Sequence, residues 1–199
     1  MNTGIGNLTT KSQSARSSRL AVVFGLLVLL AQWEGLGSRV VAQLHQQAIE
    51  DQEGVGVTER TGVQLPLELG FTDDQGNRRY LGDFFDGTRP VMLSLNYSDC
   101  PMLCSVQFNN LTNTLKGIGF RPDTDFQIVS ISLDPTEKPS RARETKSKYL
   151  SLYDRPETAN GWHFLVGEPV EIRKIADVIG FRYKRIANGH FVHPPLFVL

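Results

Sequence analysis

Apolar and polar residues alternate in a pattern that predicts short strands over the first part of the region after residue 61. Residues 65–71 and 78–81 have the pattern of two short strands, and residues 73–76 between them are of types that tolerate positive φ in a turn. The apolar, β-rich runs at residues 90–96 and 126–133 have the length of buried strands. The sequence therefore predicts an N-terminal β-hairpin followed by two core strands.

Helical periodicity occupies the segments between and after these strands. Cys104, Phe108, Leu111 and Leu115 fall on one face of a helix, and Gly117 is placed to end it. Further along, the pattern predicts a polar helix at residues 140–153, a strand at 163–166, an amphipathic helix at 169–179 with Gly180 as its stop, and a strand beginning at 194–199. Strands that alternate with helices in this way predict an α/β domain, with a mixed or mostly parallel central sheet flanked by helices.

The first 42 residues differ from the rest of the chain. Residues 1–19 are polar and serine-rich without an acidic side chain, and residues 20–31 form an uninterrupted apolar run. That run is shorter than the roughly 20 residues of a spanning helix but fits the core of a signal peptide. We predict a signal peptide or membrane anchor at residues 1–42 (tethering through 20–33), cleavage before Gln43, a linker at 43–61 and the domain at 62–199. Either route places the domain outside the cytoplasm, in the periplasm or an equivalent compartment, soluble after cleavage or anchored.

Composition narrows the classes of function. Charged residues make up 21% of the chain and apolar residues 40%, which excludes wholesale disorder and a polytopic membrane protein. The 21 basic and 21 acidic side chains balance, so no electrostatic footprint for nucleic acid is present. With 2 cysteines, the chain cannot build a disulfide framework or a four-thiolate zinc site.

The two cysteines follow a predicted core strand, in the order strand, short loop, cysteine pair and helix that is typical of thioredoxin-like proteins. Pro101 suits the first position of a helix, which makes Cys100 the predicted N-cap and places Cys104 one turn in. Because a helix N-terminus favours thiolate, we expect the pKa values of both thiols to be lowered. Residues four apart are neighbours on a helix, so the pair could form a disulfide or bind one metal ion.

Thiolate with imidazole in low coordination favours copper among the first-row metals. Of the four histidines, His45 lies in the predicted linker, and His163 at a strand start is expected to be a hydrogen-bonded core residue. His190 and His193 lie in the loop that faces the cysteine helix in a thioredoxin-like fold, and either could be a ligand. If this loop is extended, residues an odd number apart point to opposite faces, and only one of the two can face the cysteines. His193 is favoured because it immediately precedes the last predicted strand, and because Pro194 also restricts it to extended backbone angles.

Several short motifs follow one another along residues 62–199. They are Cys100-Pro101-x-x-Cys104, Ser130-Ile131-Ser132-Leu133-Asp134-Pro135, Gly161-Trp162-His163-Phe164-Leu165, Gly180-Phe181-x-Tyr183 and Phe191-Val192-His193. This set resembles the Sco/SenC family, which handles copper for cytochrome oxidase assembly. The resemblance implies a thioredoxin-like fold, copper on Cys100, Cys104 and His193, and a thiol pair that can also cycle through a disulfide. The family's terminal strand, turn and helix are absent from the sequence, so we expect a C-terminally truncated fragment.

Two functions are compatible with this interpretation. The first is a metallochaperone that passes copper to the copper-site subunit of a respiratory cytochrome oxidase, with an upstream copper donor or thiol reductant as a further partner. The alternative is a thiol–disulfide oxidoreductase that uses Cys100 and Cys104 to reduce the cysteines of a copper-site apoprotein. The two differ at the third ligand, because a reductase has no use for His193. A peroxiredoxin-like activity is disfavoured, since the loop offers Ser98-Asp99 where that chemistry needs threonine.

Overall fold

The computed structural model describes residues 52–101 and 103–199, without the side chains of Leu103 and Cys104. The predicted signal peptide or anchor, the position of His45 and most of the predicted linker lie outside the described residues. A compact unit spans Gly54–Leu199. Within the described part of the chain, no helix combines the length and apolar character needed to cross a membrane.

The unit is built around a five-stranded mixed sheet. The strands are β1 Gly56–Val57, β2 Gly70–Asp73, β3 Arg78–Tyr80, β4 Val91–Asn96, β5 Gln127–Ser132, β6 Trp162–Val166, β7 Phe181–Arg182, β8 Lys184–Arg185 and β9 Phe191–Val192; the α-helices are α1 Leu103–Gly117, α2 Pro139–Tyr153 and α3 Pro169–Val178. The central order is β3-β2-β6-β5-β4, and β1 with β7 and β8 with β9 form two small sheets. Strands β4, β5 and β6 run parallel, whereas β2 is antiparallel to both β3 and β6. This confirms the predicted mixed α/β, thioredoxin-like architecture and its N-terminal hairpin.

Both faces of the sheet are covered, which explains why all of β5 is buried. Successive residues of β5 enter different clusters: Val129 and Ile131 pack with Ile172 and Ile175 of α3, whereas Ile128 packs with Phe108 of α1 and residues of α2. Because side chains alternate across a strand, one apolar run can supply both layers. The parallel strands β4 and β5 then end side by side, with Asn96 opposite Ser132.

Two segments before and within the hairpin differ from the sequence prediction. The first hairpin strand begins at Gly70 because the preceding residues turn, with the Leu69 amide donating to the Pro66 carbonyl at 3.1 Å. The predicted linker at 43–61 is wrong for its last residues, because β1 pairs antiparallel with β7 inside the compact unit. A two-residue strand has no periodicity to detect, and its pairing is made by the backbone.

The C-terminal segment forms less strand than the sequence predicts. Within residues 194–199 one bridge is present, in which Val198 and Leu93 exchange two hydrogen bonds of 2.8 Å along β4. Pro194 and Pro195 carry no backbone N–H group, so the first two residues of this segment cannot donate the hydrogen bonds of a regular strand.

Candidate metal site

The cysteine segment leaves the sheet at the end of β4, where parallel strands commonly place functional residues. The side-chain amide of Asn96 donates to Ser130 Oγ at 3.0 Å and so links the end of β4 to β5. The helix α1 begins at Leu103, and the Cys100 amide donates to the Tyr97 carbonyl at 3.4 Å. Cys100 is therefore not the predicted N-cap, because the helix begins three residues after it, and its amide instead closes a turn with Tyr97.

A pocket of about 100 Å³ brings the predicted site residues on the two loops together. Its lining includes His190, His193, Tyr97 and the half-buried Cys100. Cys104 is the second residue of α1, and its side chain is not among those that the structure describes. Among the described side chains, no group of three His, Cys, Asp or Glu residues has the arrangement of a metal site. The structure thus places Cys100 and His193 in one pocket and leaves the participation of Cys104 a prediction.

His193 has a defined orientation in this pocket. Its side chain is buried, with 6% of the residue exposed, and its ring lies between Tyr97 and Phe181 at centroid distances of 6.0 and 6.2 Å. The Nδ1 atom lies 3.1 Å from the carbonyl oxygen of Pro194. A carbonyl can only accept, so Nδ1 donates this hydrogen bond and Nε2 is the ring nitrogen that could bind a metal ion. Ligating histidines are commonly oriented by such a bond to the second nitrogen.

His190 lines the same pocket, which the alternation argument did not anticipate. Its ring centroid lies 6.5 Å from that of Tyr97. Strand β9 covers only the two residues after His190, and the chain turns just before it at Gly189, where φ is 88°. The pocket therefore includes both histidines, whereas the expectation from side-chain alternation allowed only one of them to face the cysteines. The amide of Phe191 donates to the Tyr97 hydroxyl at 3.2 Å, which joins the histidine hairpin to the cysteine segment.

His163 is the core histidine that the sequence predicts. With the Gln127 amide oriented so that its oxygen faces Arg89, the amide nitrogen donates to His163 Nε2 at 2.8 Å. Burial lowers the pKa of His163 to about 4, with further contributions from the positive charges of Lys146, Arg79 and Arg89. The imidazole is therefore neutral at pH 7, and it lies apart from the pocket.

Sequence reasoning missed Glu137, which contacts the cysteine segment at Ser98. Its carboxylate accepts from the Ser98 amide at 2.9 Å, the Ser98 hydroxyl at 2.6 Å and the Ser132 hydroxyl at 2.7 Å. Two residues of α2 extend this contact: the Thr145 hydroxyl donates to Ser98 Oγ at 2.8 Å, and Arg141 pairs with Asp99 at 2.8 Å. No local pattern signalled this contact, because Glu137 precedes α2 and meets Ser98 only in the folded domain.

Comparison with known proteins identifies the family. Residues 62–199 match the family model described as SCO1/SenC. The chain belongs to the SCO1/SenC family. No curated protein matches it.

Solved structures of similar fold include a candidate electron transfer protein of Aquifex aeolicus VF5, with 23% identity and a TM-score of 0.60 over 70% of this chain and 77% of the other. A SCO1/SenC family lipoprotein from Bacillus anthracis str. Ames is 20% identical, with a TM-score of 0.57 over 71% of this chain and 80% of its own. Bradyrhizobium japonicum ScoI, solved with copper bound, is 22% identical, with a TM-score of 0.50 over 65% and 78%. These similarities confirm the thioredoxin-like fold.

Proposed function

We propose that this SCO1/SenC protein is an extracytoplasmic metallochaperone that delivers copper to the copper-site subunit of a respiratory cytochrome oxidase. The copper is cargo, held by the thiolates of Cys100 and Cys104 and by Nε2 of His193. The observation that carries the proposal is the shared pocket of Cys100 and His193, with Nδ1 of the histidine bonded to a carbonyl. The lipoprotein relative supports the compartment, and the copper-bound relative supports the cargo.

The residues of the pocket suit reversible binding of a soft ion. Thiolate and imidazole donors favour copper over harder cations, and both thiols must lose their protons when they bind it. Cys100 is only half-buried, so an acceptor's thiolate can approach the same ion while this chain still holds it. A partly exposed Cys100 beside a buried His193 therefore allows ligand exchange.

The alternative is a thiol–disulfide oxidoreductase that reduces the cysteines of a copper-site apoprotein. A cysteine pair at the start of a helix, after a buried strand, is sufficient for that reaction, in which a thiolate attacks the partner's disulfide. Such an enzyme does not need the oriented imidazole of His193. The buried position of His193 beside Cys100 favours the metallochaperone.

Copper binding by the reduced full chain tests the proposal. We expect one Cu(I) per chain in competition with a Cu(I) chelator, and loss of tight binding in Cys100→Ser and in Cys104→Ser. Prior oxidation should block uptake, because a disulfide sulfur is no longer a thiolate. Full copper stoichiometry in either variant, or a preference for zinc, would contradict the site. A wild-type chain that reduces a disulfide substrate but binds no copper would establish the alternative.

A further inference from the structure

The loop that carries Cys100 is attached to the start of α2 through Glu137. Ser98, two residues before Cys100, donates both its amide and its hydroxyl to the Glu137 carboxylate. The same carboxylate accepts from Ser132 at the end of β5. We call Glu137, Ser98 and Ser132 the Glu137 clamp. The clamp joins the cysteine loop to the buried sheet at the point where β4 and β5 end.

The clamp holds the loop more strongly than the neighbouring ion pair does. The neighbouring ion pair of Arg141 and Asp99 is largely exposed, and such surface pairs hold a loop weakly. By contrast, Ser132 is buried and Ser98 is half-buried, and their hydrogen bonds to a charged carboxylate belong to the stronger class. Thr145 donates to Ser98 Oγ at 2.8 Å, so the Ser98 hydroxyl is held from two sides.

We propose that Glu137 is a positioning residue for the cysteine pair. By fixing Ser98 it restricts the backbone of Cys100, which raises the effective concentration of the Cys100 thiol toward Cys104 and toward a bound copper ion. Removal of the clamp therefore weakens disulfide formation and copper binding together. The copper half of this inference rests on the proposed function, whereas the disulfide half does not.

Three substitutions distinguish the effect of side-chain length at residue 137 from the effect of its negative charge. Glu137→Gln keeps the length and an acceptor oxygen for the Ser98 amide but removes the charge. Glu137→Asp keeps the charge but withdraws the carboxylate by one methylene, and Glu137→Ala removes both. If position is what matters, Gln retains most of the wild-type behaviour and Asp resembles Ala. If the negative charge is what matters, the order is reversed.

The first readout is the disulfide equilibrium of the full chain in dithiothreitol buffers, where each exchange moves two electrons and two protons from dithiothreitol to the protein disulfide. We expect at least a tenfold shift toward the dithiol in Glu137→Ala and Glu137→Asp, about 30 mV in reduction potential, and at most a threefold shift in Glu137→Gln. Cu(I) affinity, from chelator competition, should fall by at least tenfold in the same two variants. Amide hydrogen exchange at Ser98 should accelerate by at least tenfold in Glu137→Ala.

The control is Glu68→Gln, which removes the same charge from an exposed ion pair with Lys174 and should leave all three readouts within twofold of wild type. Melting temperatures show whether a variant is merely less stable. The inference is overturned if Glu137→Ala melts earlier but keeps the wild-type disulfide equilibrium and Ser98 exchange, or if Glu137→Gln is as defective as Ala. A wild-type chain that binds no copper refutes the proposed function alone, because the disulfide equilibrium still decides the role of Glu137.

Discussion

Acidification should destabilise this domain through His163. The imidazole packs against Phe84, with ring centroids 4.5 Å apart, and accepts a hydrogen bond from Gln127 at 2.8 Å. Burial lowers its pKa from 6.5 to about 4 in the folded state. The unfolded chain therefore binds a proton at His163 between pH 6.5 and 4 where the folded chain does not, and the free energy of unfolding falls as the pH falls through this window.

The size of the effect follows from the shift in pKa. At about 1.4 kcal/mol per pKa unit, His163 accounts for a loss of about 2 kcal/mol between pH 7 and pH 5, and of about 3 kcal/mol once the pH is below 4. Against the 5–15 kcal/mol typical of whole domains, this is a large fraction of the stability. It would lower the urea midpoint by about 1 M for an m-value of about 2 kcal/mol/M.

Urea unfolding at pH 7 and pH 5 measures this loss. His163→Gln keeps a polar acceptor opposite Gln127 but cannot titrate, so the difference between the two pH values should shrink by about 2 kcal/mol. Gln127→Met is the matched control: it removes the hydrogen bond but leaves the imidazole buried, so it should lower stability at both pH values and keep the difference. An unchanged pH difference in His163→Gln would refute the reasoning.

Three further predictions concern the site, the fold and export. His193→Ala should weaken Cu(I) binding by more than about 100-fold in chelator competition and leave disulfide formation intact, since loss even of an outer-shell partner of a metal ligand costs about 10–100-fold in metal affinity. His190→Ala should change neither copper binding nor disulfide formation appreciably. The reverse pattern would move the site to His190. Gly180→Ala should lower the free energy of unfolding in urea by more than about 2 kcal/mol, because φ at Gly180 is +70° and an added Cβ would collide with the Thr58 carbonyl oxygen. Gly117→Ala is the control: the space around Gly117 is open, so stability should change by less than about 1 kcal/mol. Mass spectrometry should find a mature chain beginning near Gln43 or a membrane-tethered one, and an intact cytoplasmic form would contradict export.

Local pattern was sufficient for much of the fold. The hairpin turn at residues 73–76 is made by Asp73, whose carboxylate accepts from two amides within four residues, and by Gly76 at positive φ. The buried strands β4 and β5 and the helices α1, α2 and α3 lie within one or two residues of their predicted bounds, apart from the first turn of α1. Periodicity and breaking residues carry this information because each element selects its own conformation before it packs. For the same reason, the strand-start position of His163 was enough to predict a core histidine.

The tertiary structure alone decided which separate segments meet. Strand β1 is stabilised by its pairing with β7, in which Gly56 lies opposite Arg182, and a two-residue strand buries too little by itself to leave a pattern. His190 lines the pocket because the β8–β9 hairpin packs against Tyr97, whose hydroxyl accepts a hydrogen bond from the Phe191 amide. Glu137 reaches Ser98 because β4 and β5 are parallel neighbours whose ends coincide. These contacts depend on strand order and register, which are set by the packing of the whole sheet rather than by any one segment.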